Sequence, residues 1–214
     1  NLQTNALSTG AVAVSGPPLL TSGAGATLNL GNSPIAGAFV AHTGALSLAT
    51  PVLALNAPLR VSSSGALTLP AAAIDTGSGD LYLASGTGLS TAGNLSSSAS
   101  LTLIAGGGNI GLGHNLTGGN LVLQASALVN QTAGILSGAS LTVSGAGGID
   151  LGQANTLAAF NASNTGGGNL NLLNTANPLT VSLATNVGGG NVTIQNTGDL
   201  TTSGAVSTTG AGTI

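Results

Sequence analysis

From Leu81 to Val143 the chain reads LYLASGTGLSTAGNLSSSASLTLIAGGGNIGLGHNLTGGNLVLQASALVNQTAGILSGASLTV, and one motif returns in it every 20 residues. The motif is a pair of apolar residues separated by one other: Leu81/Leu83, Leu101/Leu103, Leu121/Leu123 and Leu141/Val143. Alternation with a period of two is the pattern of a β-strand, whose successive side chains point to opposite faces. A fixed period of about 20 residues marks a solenoid, in which each repeat contacts only its neighbours. Together they predict short strands stacked coil upon coil.

A second series extends the repeat in both directions through Val12, Leu28, Leu46, Leu67, Leu89, Ile110, Leu128, Ile149, Leu170, Val192 and Ile214, and is expected to form a core ladder. Between successive members lies a third apolar position, as in Leu95, Leu116, Ile135 and Leu157. Each coil is therefore expected to hold three short strands. Gly, Asn, Ser and Thr join them, with Gly or Asn supplying the positive φ of tight corners. Gly93-Asn94, Gly108-Asn109, Gly119-Asn120, Gly168-Asn169 and Gly190-Asn191 read as such corners, and Gly79-Asp80 and Gly198-Asp199 as acidic versions. The fold class predicted is all-β, a parallel β-helix (β-solenoid) of about ten coils. At roughly 4.8 Å per coil it would make a rod near 50 Å long.

Pro17, Pro18, Pro34, Pro51, Pro58 and Pro70 crowd into the first 70 residues. Proline removes a ladder donor and is confined to bends and edges. Residues 1–214 thus read as a single solenoid, with less regular, Pro-containing coils over 1–72 and regular coils over 73–214.

Composition narrows the function classes. Charged residues make up 2% of the chain, where an ordinary soluble domain has about 25%. Arg60 is the only basic residue, so no patch exists to displace counterions from nucleic acid. With Phe39, Tyr82 and Phe160 the only aromatics, a narrow core of Leu, Ile, Val and Ala fits better than a spherical one. No apolar run approaches the roughly 20 residues of a membrane-spanning helix. The three aromatics cannot build the girdles of a transmembrane barrel. The absence of Cys removes disulfides and thiolate metal sites.

The stretch Gly147-Gly148-Ile149-Asp150-Leu151, continued by Asn155 to Leu172 with Asn161-Ala162-Ser163-Asn164-Thr165-Gly166-Gly167-Gly168-Asn169-Leu170, resembles the repeats of filamentous-haemagglutinin-like proteins, the bacterial adhesins exported by two-partner secretion. Gly190-Asn191-Val192-Thr193-Ile194 and Gly198-Asp199-Leu200 carry the resemblance on, over about residues 76–214. It implies a right-handed parallel β-helix serving as the shaft of an extracellular or bacterial cell-surface fibre, with adhesion or biofilm cohesion as its role. The secretion domain of that family, with its Asn-Pro motifs, is not in this sequence.

Catalytic chemistry finds few parts. Asp75, Asp80, Asp150 and Asp199 are scattered, whereas glycan-cleaving β-helices need clustered carboxylates or a base. Asp75 and Asp80 read as a corner turn rather than a Ca²⁺ loop. His42 and His114 fall in different coils without ligand-spaced neighbours. Neither an enzyme, a cofactor site nor a metal site is expected. Asn94, Asn115, Asn130, Asn161 and Asn191 head N-x-Ser/Thr sequons that could accept glycans on an exported protein, although such matches arise easily in so Asn-, Ser- and Thr-rich a chain.

The repeat begins at Gly10-Ala11-Val12-Ala13-Val14 and runs into Gly212-Thr213-Ile214. An open terminal coil is an unpaired strand edge, so coils are expected to continue past an end, in one polypeptide or by stacking of chains. The near-neutral surface also offers little repulsion against lateral association. The leading expectation is a structural fibre or shaft that self-associates; the alternative is a solenoid binding module whose face recognises carbohydrate, a host receptor or ice.

Overall fold

The computed structural model describes the backbone of residues 2–4, 7–8, 19–22, 26–29, 38–48, 56–176 and 178–214, with side-chain surroundings for 39–48, 56–176 and 178–214. Among these residues every regular element is a strand, and every pairing is parallel. The chain is a β-solenoid. No helix long and apolar enough to cross a membrane is present among the described residues.

Three faces wind around one core. On the first, Val40, Val61, Leu83, Leu103, Leu123, Val143, Ala162, Ala184 and Val206 pair in unbroken succession, which makes about eight turns against the ten expected for the whole chain. The strand Leu19–Ser22 carries this column back to Leu2–Thr4. Beside it runs Leu59, Leu81, Leu101, Leu121, Leu141, Phe160 and Val181, each at most 1% exposed. The i, i+2 pairs of the sequence are these two columns. Alternation works because one residue in two must face water while its neighbours enter a core only a few side chains wide.

The expected three strands per coil merge in the middle of the stack. Leu95–Ala105, Leu116–Ala125 and Leu136–Gly145 each cross from the third face of one coil to the first face of the next, and Ile149–Asn164 runs through all three. The corner between the third and first faces is gentle enough for ladder pairing to resume after a register shift between Ser97 and Ser100.

Glycine works at the corners in two ways, only one of them anticipated. Gly148 and Gly168 have φ of 115° and 91° and turn the chain into the second face just before Ile149 and Leu170. Gly93 and Gly119, in contrast, lie outside the left-handed region. They are small because a Cβ would stand 2.5 Å from the Ala72 carbonyl oxygen and 2.6 Å from that of Ser98, in the coil beneath. Close stacking, rather than a special φ, requires glycine there.

Of the prolines behind the predicted change in regularity over 1–72, Pro17, Pro18, Pro34 and Pro51 lie outside the described residues, as does Val12. Pairing is continuous from Ala38–His42 through Leu59–Ser63 to Leu81–Ser85.

Candidate functional site

The candidate functional elements are the columns that run along the axis, inside and out. The second face carries most of the ladder read from sequence. Leu46 pairs with Leu67, Leu89 with Ile110, Ile149 with Leu170, and Leu170 with Val192, and all are buried. Two members are displaced. Ile110 and Ile149 both pair with Val129, which is fully buried, while Leu128 beside it is only half-buried. Leu128 sits on the corner, where its N–H donates to Asn109 Oδ1 at 3.0 Å. Leu28 lies opposite Leu48, and Ala26 stands opposite Leu46. At the far end Val192 donates to Thr213 O at 2.8 Å, which brings Ile214 level with it, yet Ile214 is 73% exposed.

On the third face Leu95 pairs with Leu116 and Leu116 with Leu136, so Leu136 holds the place expected for Ile135. Ile135 is 43% exposed; its N–H is taken by Asn115 Oδ1 at 2.9 Å, which fixes it as a corner residue. The next level is Asn155 rather than Leu157, because Ser137 pairs with Thr156 and Gly138 with Leu157.

Sequence reading missed these buried amides. Asn155 and Gln131 exchange two hydrogen bonds, Gln131 Nε2 donating to Asn155 Oδ1 at 2.8 Å and Asn155 Nδ2 donating to Gln131 Oε1 at 3.0 Å. Asn155 Oδ1 also accepts the Leu136 N–H at 2.8 Å. One coil on, Asn174 Nδ2 donates to Asn196 Oδ1 at 3.0 Å and to Leu157 O at 3.0 Å, and Asn174 Oδ1 accepts the Leu157 N–H. At the corner leaving the first face, Asn164 Nδ2 donates to Asn186 Oδ1 at 2.6 Å. Burying an amide costs free energy unless its hydrogen bonds are replaced, and no buried side-chain polar atom among the described residues lacks a partner. The signal in the sequence was the recurrence of Asn155, Asn174 and Asn196 at coil spacing, hidden by the abundance of Asn.

No three His, Cys, Asp or Glu gather among the described residues. Asp75 Oδ1 accepts the Gly77 N–H at 2.8 Å, and Asp80 Oδ1 accepts that of Ser100 at 3.1 Å, so both carboxylates brace corners. His42 Nε2 donates to Ala45 O at 2.9 Å, and His114 Nδ1 to Thr91 O at 3.2 Å. The Arg60 guanidinium lies 3.7 Å above the Tyr82 ring, its register partner on the first face.

Three of the five sequon asparagines brace the stack. Asn94 Oδ1 accepts from Asn115 N at 3.1 Å, Asn115 Oδ1 from Ile135 N, and Asn191 Oδ1 from Thr213 N at 3.0 Å. Asn130 and Asn161 are half-buried and point outward on the second and first faces.

No family model, curated protein or solved structure matches this chain.

Proposed function

We propose that the chain is a length of structural shaft, an extracellular β-solenoid at a bacterial surface that supports adhesion or biofilm cohesion. The observation that carries this reading is the unbroken succession of the first-face column from Val40 to Val206. From Leu59 to Asn196 each coil contributes the same three walls, and none is interrupted by an inserted domain. Such a stack transmits load along its axis through backbone hydrogen bonds repeated at each level. The resemblance of Gly147–Leu172 to adhesin repeats supports the same reading.

Continuation of the stack by a further coil, of the same polypeptide or of another chain, is part of the proposal. Val181, Val192, Ile194, Leu200, Val206 and Ile214 border a hollow of about 490 Å³ at the last coil, with Leu200 47% exposed. A coil with the same column pattern would fill it. The apolar area covered, together with the strand edges paired, would favour the contact.

Immunogold labelling of the source cells with an antibody to this chain tests the reading. Label on extracellular filaments is expected, with mass per length near 19.9 kDa per roughly 50 Å in a single-file stack, however the coils are divided among chains. Label confined to the cytosol would overturn it.

A further inference from the structure

We propose that the groove at the corner between the third and first faces binds a linear, uncharged carbohydrate lying along the solenoid axis. Asn56, Asp75, Ser78, Ser96, Ser98 and Thr117 border it, and its volume is about 580 Å³, within the range of small-molecule sites. Gly118 and Gly119 border it without side chains of their own, and a Cβ on Gly119 would stand 2.6 Å from the Ser98 carbonyl oxygen.

The groove contains an ordered row of oxygens. Ser96 pairs with Asp75 on one side and with Thr117 on the other, so a carboxylate and two hydroxyls repeat at the strand spacing of about 4.8 Å. Asp75 uses one oxygen on Gly77. Among the described residues its other oxygen and the Ser96 and Thr117 hydroxyls make no hydrogen bond. Neighbouring hydroxyls behave differently: Thr76 and Ser97 both donate to Gly79 O at 2.7 Å, and Ser98 donates to Gly77 O at 3.1 Å. Beyond the groove the row goes on through Ser137 and Thr156.

The chemistry of the row selects its ligand. A carboxylate acceptor beside hydroxyls that both donate and accept matches vicinal sugar hydroxyls. Among the described residues no cation borders the groove to hold an anionic polymer, and no large apolar side chain borders it to hold a lipid. Repetition along the axis suits a chain of repeating units rather than a single ring.

Titration calorimetry of the whole chain with neutral cello-, malto-, manno- and laminari-hexaoses tests this, with a uronic-acid hexaose as the charged control. At least one neutral hexaose should bind with Kd of about 1 mM or tighter, and more tightly than its trisaccharide. The double substitution Ser96→Ala with Thr117→Ala should weaken binding at least tenfold. Asp75→Asn should weaken it too while keeping the oxygen that caps Gly77, and Thr117→Ser should retain it. Thr102→Ala, on the first face, should leave it unchanged, and circular dichroism checks that each variant is folded. Failure of every neutral hexaose to bind, equal binding of the uronic-acid hexaose, or indifference to the double substitution would overturn the proposal.

Discussion

The third face fills one inward position in two ways. Over four successive coils it is Ile74, Leu95, Leu116 and Leu136, and over the next three it is Asn155, Asn174 and Asn196. The backbone is the same parallel ladder in both stretches. In the first stretch the position is held by apolar burial, which is non-directional and tolerant of small errors. In the second it is held by amides, Asn155 bonded to Gln131 and Asn174 to Asn196, all of them bonded to backbone groups as well. A solenoid core therefore needs no single chemistry; it needs each level to match the levels it touches. Leu136 and Asn155 form the seam, and it works because Asn155 turns its oxygen to the Leu136 N–H and its amide to Gln131.

The firmest way to break this picture is to place a charge where neither chemistry can receive it. Ile149 is fully buried between Val129 and Leu170, and Ile149→Asp should lower the unfolding free energy by about 4 kcal/mol or more. Denaturant titration measures it, and unchanged stability would contradict the column. Transplanting one chemistry into the other stretch should cost somewhat less. Leu116→Asn puts a lone amide between Leu95 and Leu136, and about 3 kcal/mol is expected from lost burial and an unsatisfied donor.

The reverse injury is milder and more local. Asn155→Ala removes the partner of Gln131 and of the Leu136 N–H, a loss of about 2 kcal/mol. Amide exchange should accelerate at Leu136 while Leu101 and Leu121 keep their protection, and uniform acceleration would mean that the amides are not locally coupled. The smallest contrast lies between adjacent residues. Val129→Ala should cost about 2 kcal/mol and Leu128→Ala less than about 1 kcal/mol, and the opposite order would restore Leu128 to the ladder.

That pair also shows how far the sequence could be read. The first-face columns were legible because Leu81/Leu83 and its successors alternate cleanly at a constant interval. The second face was legible wherever one apolar residue stood alone one or two places after a glycine, as with Ile149 and Leu170. At Leu128-Val129 and Ile135-Leu136 two apolar residues stand together, and hydropathy cannot say which one turns inward. Offset within the coil could have: Ile149 follows Leu141 by eight residues, and Val129 follows Leu121 by the same eight. The buried amides were harder to read, since an Asn inside and an Asn on a corner have the same letter and the same spacing. The row of Asp75, Ser96 and Thr117 was obscured for a related reason. Register, which aligns residues across coils of 21 positions in one place and 19 or 20 in another, is a property of the folded ladder rather than of the string.

The near-constant frame of the middle coils has a consequence for how such a molecule changes over generations. Because Leu101, Leu121 and Leu141 occupy equivalent places, a misaligned exchange between the coding segments of neighbouring coils would add or remove one whole level and leave every column intact. Length is then inherited in discrete units, and a lineage can alter the reach of the rod in one event, without first passing through a chain that cannot fold.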